Sequence, residues 1–349
     1  MKTSIRKFVL GASLATLAGL SPGLAQAQQK VKLVLANGLA PLVTINQMFE
    51  FLLAPRLELY SGGLITTDVK GNNTLCSEHK CVEQARLGQV DIVTASSENM
   101  GAFGKTFDIN GLPFLFKDDA SAQKLLNGWL GDHLKAEAVK EQQLHVLGVI
   151  VSLGFRNLDN KVRQVKTPAD LKGIKIRVTK SPVEFTLIKQ WGGVPIPYDW
   201  GQLYEGLQSG VVEGMYIPDG YVAAQKFHEV TPYITEIGGM LVTHVVSMTK
   251  KRYDSLPPVA RGAIDRVARE MLEENLALDR MQRAKLITEV KTKAKYYYPT
   301  EAERKLWTAG APKAWVQLKG RYDPKIARRA LEEQGQKDFI ALLEKEGAL

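Results

Sequence analysis

Along the first two-thirds of the chain, apolar and polar positions switch between two periods, and the switches outline alternating strands and helices. Lys30 to Ala36 alternates as a strand does, with a period of two. After the turn Asn37-Gly38-Leu39-Ala40-Pro41, the residues Ile45, Met48, Phe49, Leu52 and Leu57 recur at helical spacing within Thr44 to Leu59. Gly62-Gly63 breaks that run, and Leu64 to Val69 predicts a second strand. Cys81 to Leu87 predicts a helix ended by Gly88, followed by a strand over Val90 to Thr94. This βαβαβ alternation implies an α/β fold: a mixed, mostly parallel sheet flanked by helices. Ser121 to Gln142 then reads as helix, and His145 to Leu153 as an apolar, buried strand.

Thr167 and Pro168 open a short helical turn, a hydroxyl cap followed by proline at the first helical position. Gly173 ends it, and Ile174, Ile176 and Val178 then alternate with Lys175 and Arg177. Arg177 is thereby placed off the aliphatic face of a strand, where its flat fork of donors suits a carboxylate. The second α/β unit continues through a helix at Gln202 to Gln208 into a strand at Val211 to Tyr216. From Pro257 or Pro258, Ile264, Val267, Met271, Leu278, Met281, Ile287 and Val290 carry a helical period over about thirty residues, roughly 45 Å. No internal repeat and no Gly-rich linker separates the halves, so tight crossings at a hinge are expected.

Several blocks stand in a distinctive order. They are LGQVDIV (Leu87 to Val93), LPFLF (Leu112 to Phe116), GFRNLDNKVRQVKTPADL (Gly154 to Leu171), KTPADLKGIKIRV (Lys166 to Val178), GGVPIPYDWGQLYEGLQSGVVEG (Gly192 to Gly214) and LYEGLQSGVVEGMYIP (Leu203 to Pro218). Together they resemble the solute-binding proteins of TRAP transporters, periplasmic proteins that capture organic acids and deliver them to a membrane permease. The resemblance implies a two-lobed, type II-like binding-protein fold with a long helix spanning both lobes. It places lobe I in residues 28–153 plus about 246–280, and lobe II in 154–245 plus about 281–349. It also implies roles. Arg177 matches the arginine that clamps the ligand carboxylate, Arg156 a second arginine that often lines the pocket, and Trp200 an aromatic laid against the ligand. The chain departs from the family at Met215-Tyr216-Ile217-Pro218, where Gln-Glu-Asn-Pro is usual. Ile217 has no side-chain hydrogen bond to offer, and Tyr216, Asp219 and Tyr221 are the polar replacements nearby. A more apolar pocket follows, and with it an aromatic or branched monocarboxylate as ligand. A C4-dicarboxylate or sugar acid is the alternative.

The first residues change where this protein is expected to work. Lys2, Arg6 and Lys7 precede an apolar core from Phe8 to Leu20 and a small-residue site, Ala25-Gln26-Ala27, the pattern of an export signal over residues 1–27 cleaved near Ala27. Localisation is therefore periplasmic. Formal charge is +9, three of it in that leader, an excess that suits an anionic ligand. Basic residues are spread among acidic ones without an arginine-rich arm, which argues against nucleic acid. In an exported chain Cys76 and Cys81 read as a disulfide; a zinc site from Cys76, His79 and Cys81 has poor spacing.

Asn37 and Ser97, with Ser96 and Asn99, follow predicted strand ends, where open α/β sheets bind ligands, although such residues are equally at home in turns. Neither a nucleophile elbow nor a phosphate loop, dinucleotide fingerprint or zinc-helix motif is present, and no enzyme, cofactor or metal is expected. An exported hydrolase is the least favoured reading, and a ligand-dependent partner of a sensor kinase shares the binding chemistry without the transport. The expected partners are the organic acid and the permease subunits, and a monomer is expected.

Overall fold

The computed structural model describes residues 30–349, so the expected leader lies outside the described residues. Ten strands form one mixed sheet: β1 (Val31–Ala36), β2 (Ile65–Lys70), β3 (Ile92–Ser96), β4 (Leu144–Asn160), β5 (Lys175–Val178), β6 (Val194–Pro197), β7 (Gly214–Pro218), β8 (Tyr233–Thr235), β9 (Leu241–Thr249) and β10 (Lys295–Tyr297). The main path runs β2-β1-β3-β9-β4-β7-β5-β6, with β8 on β4 and β10 on β8. β1, β2 and β3 are parallel, as are β5, β6 and β7, while β9 and β4 run antiparallel to their neighbours. We refer to the half of the path that holds β1, β2, β3 and β9 as lobe I, and to the half that holds β5, β6 and β7 as lobe II.

β4 belongs to both lobes. Its residues up to Val151, and Phe155 beyond an irregularity, pair with β9, and Arg156 to Asn160 pair with β7. The sequence pattern ends this strand at Leu153, yet it runs on to Asn160, 17 residues in all. Gly154 is not a terminator here: Leu153 (φ 54°) and Gly154 (φ 94°) form a bulge where the register shifts between Val151 and Phe155. The freed backbone finds other partners. Asn275 accepts from Val151 N (2.9 Å) and donates to Val151 O (3.0 Å), and one helical turn later Asp279 accepts from Leu153 N (2.7 Å). Both side chains project from the helix Pro258–Lys293, whose 36 residues span about 54 Å. It contacts lobe I through Arg56, bonded to Glu270 and Glu274, and lobe II through the helix Asp219–Ala224.

Strand alternation divides the core between the two faces of the sheet. Leu33, Leu35, Ile150, Met215 and Ile217 pack toward the long helix with Ile264, Val267 and Met271. On the other face Ala36, Val149, Val151, Ile176 and Tyr216 pack with residues from the C-terminal helices. The C-terminal region expected in lobe II touches both lobes. Trp307 donates to Lys166 O and Trp191 to Trp307 O on the lobe II side; Trp315 donates to Pro113 O, and Arg321 binds Asp108, on the lobe I side.

Other boundaries differ for local reasons. The predicted helix Ser121 to Gln142 is two, Asp119–Leu126 and Trp129–Gln142, interrupted at Asn127-Gly128. Thr44 to Tyr60 is continuous but widens to a π-turn at Phe49–Leu53, beside Pro55, which has no N–H to donate. The strands predicted at Val90 and Val211 begin later, at Ile92 and Gly214. Cys76 and Cys81 form the disulfide.

Candidate functional site

Between the lobes lies a pocket at the carboxyl ends of β3, β5 and β7, the position at which open α/β sheets bind ligands. Arg177 and Thr179 reach it from β5 and its end, Ile217 and Pro218 from β7, and Arg156 from β4. Lobe I contributes Ser96, Asn99, Glu78, Val242 and His244. Trp200 and Tyr221 complete the wall from lobe II. The enclosed space measures about 30 Å³, room for a water or two. The lobes are accordingly in contact across it: Ser77 donates to Asp199 (3.0 Å), Lys180 N to Asn99 Oδ1 (3.4 Å), and Tyr221 Oη meets His244 Nε2 (3.1 Å).

The two arginines are held very differently. Arg156 is buried with its Nη2 at 2.8 Å from Glu184 and 3.2 Å from Glu98, and its Nη1 donates to Tyr216 O at 2.6 Å. Its charge is met by two carboxylates, one from each lobe. Burial raises the Glu98 carboxyl to about 7, with Arg156 opposing that rise. Arg177 is 3% exposed, and its Nε donates to Tyr198 O at 3.0 Å. No described carboxylate lies within 4.0 Å of it. Burial lowers its pKa; Glu184 counters this and the like charge of Arg156 adds to it. The guanidinium carbon sits 5.6 Å from the Trp200 ring centre, a cation–π contact on one side of an otherwise unneutralised charge.

Opposite the arginines stands Glu78. Its Oε2 accepts from Asn99 Nδ2 and from Ser96 N (3.3 Å), and its Oε1 lies 3.7 Å from His244 Nε2. Burial, chiefly, lowers the His244 pKa, with Glu78 opposing that fall. Tyr221 links it to Ser152 Oγ at 2.6 Å. The pocket thus offers a buried cation in Arg177, an acceptor in Glu78, and Trp200, Ile217 and Val242 as apolar wall.

Of the residues singled out from sequence, the structure brings Arg177, Arg156, Trp200, Tyr221, Ser96 and Asn99 to this pocket. Tyr216 points to the opposite face of β7, edge-on to Trp191 at 5.5 Å, and serves the site only through its carbonyl. Asp219 lies behind β4, accepting from Asn157 at 2.7 Å. Asn37 is buried in its turn, accepting from Leu39 N (2.9 Å), and Ser97 bonds Thr243 (2.7 Å) and Asn110 (3.2 Å) outside the pocket. Glu78 and Thr179 were not legible in the sequence. A lone glutamate between two cysteines carries no signal of facing an arginine a hundred residues away, and only the fold brings them together.

Two lobes closing on a pocket through a shared strand and a spanning helix define a periplasmic-type binding protein. The chain belongs to the bacterial extracellular solute-binding proteins, family 7, whose model matches residues 40–319, the family of TRAP solute-binding proteins. It is 32% identical over 199 residues to the 2,3-diketo-L-gulonate-binding periplasmic protein YiaO of Escherichia coli, a match spanning 57% of this chain and 60% of that relative. The sugar acid binding protein DctPAm of Advenella mimigardefordensis, solved with galactonate, superposes with a TM-score of 0.83 at 22% identity, covering 88% of this chain and 99% of that one. A TRAP periplasmic solute-binding protein from Bordetella, with density assigned to pantoate, gives 0.80 at 23% identity over 86% and 98%. No helix among the described residues is long and apolar enough to cross a membrane.

Proposed function

We propose that this protein is a periplasmic binding protein that closes on a small, branched hydroxy-monocarboxylate and presents it, as a monomer, to a TRAP-type permease. The observation that carries the reading is Arg177, a buried guanidinium with no described carboxylate within 4.0 Å of it. A buried charge without a partner is costly, and a ligand carboxylate supplies the missing one in paired geometry. A single acid group is favoured because the second arginine is already matched by Glu98 and Glu184, so a second ligand carboxylate faces Glu78 instead. Glu78 favours a hydroxyl donor at that end, and Ile217, Val242 and Trp200 favour an apolar, branched middle. Closure excludes water from the ion pair and strengthens it. Lobe boundaries follow β4: lobe I takes the strands before its bulge with β9, lobe II those after it.

A thermal-shift screen tests this, using pantoate, galactonate, succinate and phenylacetate on wild type and Arg177→Ala. Pantoate should raise the melting temperature with concentration, succinate and phenylacetate much less, and Arg177→Ala should abolish the pantoate shift. A full pantoate shift retained in Arg177→Ala overturns the clamp.

A further inference from the structure

A second cleft lies on the other side of the hinge. Strand alternation sends Arg156 of β4 into the front pocket and its neighbours Phe155 and Asn157 to the rear. There a cavity of about 330 Å³ opens, more than ten times the enclosed front space and within the size range of small-molecule sites. Its floor is apolar, made of Leu153, Phe155, Ile237 and Ile287. Four cations surround it: Lys117 from lobe I, Arg283 and Lys291 from the long helix, and Arg304 from the helix Glu301–Gln317. Two acids, Asp219 and Glu236, oppose them.

The cations are only partly spent. Arg283 is committed to Asp119 at 2.6 Å, and it is seated on the hinge itself, since a Cβ at Gly154 would lie 2.4 Å from its Nη1. Arg304 meets Glu236 at 3.9 Å, a loose contact. Lys291 lies over the rings of Tyr296 (5.5 Å) and Tyr298 (5.4 Å), with no carboxylate within 4.0 Å. Asp219 is bonded by Asn157, and burial raises its carboxyl to about 7, which leaves the cleft more positive near neutral pH.

We infer that this rear cleft binds a small aromatic or aliphatic organic dianion, independently of the front pocket, and that its occupant favours the closed lobes. The dianion's charges meet Lys117, Lys291 and Arg304 while its apolar body lies on Phe155 and Ile287. The coupling follows from hinge geometry: closing the front draws the two lobes together there and holds the rear open. A ligand that fits the rear as it stands binds the closed form better than the open one, and shifts the equilibrium by that difference.

Phthalate is a suitable probe, and Arg177→Ala removes the front clamp. Calorimetry should show phthalate binding to Arg177→Ala, and adding Lys291→Glu and Arg304→Glu should weaken it about tenfold or more. Small-angle scattering of Arg177→Ala with phthalate should give a smaller radius of gyration than without it. Both added substitutions are at solvent-accessible positions; Lys117→Glu in the same background, expected to weaken phthalate as well, is a second route to the same site. Loss of all phthalate binding in Arg177→Ala, or unchanged affinity in the charge-reversal variants, overturns the site. Binding with an unchanged or larger radius overturns the coupling.

Discussion

At the scale of single residues, what separates Arg177 from Arg156 is who neutralises it. Both are buried arginines on strands at one cleft, but Glu98 and Glu184 hold Arg156 while Arg177 has only a carbonyl and a ring. Glu78 sharpens the ligand's chemistry. A ligand hydroxyl bonded to Glu78 loses its partner in Glu78→Ala, which should weaken pantoate about tenfold and leave 3,3-dimethylbutanoate, which lacks the hydroxyls, nearly unchanged by calorimetry. Equal losses for both acids would remove Glu78 from recognition. Gly154 is a residue-scale requirement of another kind. Gly154→Ala places a Cβ at positive φ and against Arg283, and should destabilise the protein by about 1–3 kcal/mol in urea denaturation.

At the scale of elements, the hinge depends on a strand being held by a helix. Where β4 leaves its register with β9, Asn275 and Asp279 take over its backbone groups from positions four apart on the long helix. Asn275→Leu fills similar space and leaves the N–H and C=O of Val151 buried without partners. It should cost about 2–4 kcal/mol and accelerate amide exchange first at Val151 and its neighbours. Exchange rising uniformly along β4 instead would mean that Asn275 supports the whole strand and not the bulge. The helix Glu301–Gln317 adds a further crossing, with Trp307 on one lobe and Trp315 on the other.

At the scale of the whole molecule, buried acids set the pH response. Burial raises Glu98 and Asp219 to about 7, above the ordinary carboxylate range. A raised folded-state value means that the folded form binds more protons than the unfolded chain, so stability falls as pH rises through about 7. His79, His145 and His244 are lowered by burial, and a lowered base costs stability only as pH falls below its unfolded value of about 6.5. Between pH 6.5 and 8 the acids therefore dominate, and the melting temperature should decline. Glu98→Gln should flatten that decline; a melting temperature that climbs over this interval contradicts the assignment.

The α/β order, the long helix, the disulfide pair and the strand position of Arg177 were legible in local pattern, because periodicity, turn residues and spacing are properties of neighbours. Trp200 and Arg156 became legible through the order of whole blocks. Tyr216 and Asp219 show the limit. A strand's alternation assigns each to a face, but which face is the cleft depends on what packs behind it, and both turned away. Glu78 shows the other limit, since its role exists only when lobe I meets lobe II. The chain by itself determined the elements and the placing of Arg177 on a strand, because these follow from residues close in sequence. Only the tertiary structure decided which arginine stays unneutralised and where the second cleft opens, because both are set by groups that close packing brings together from distant positions.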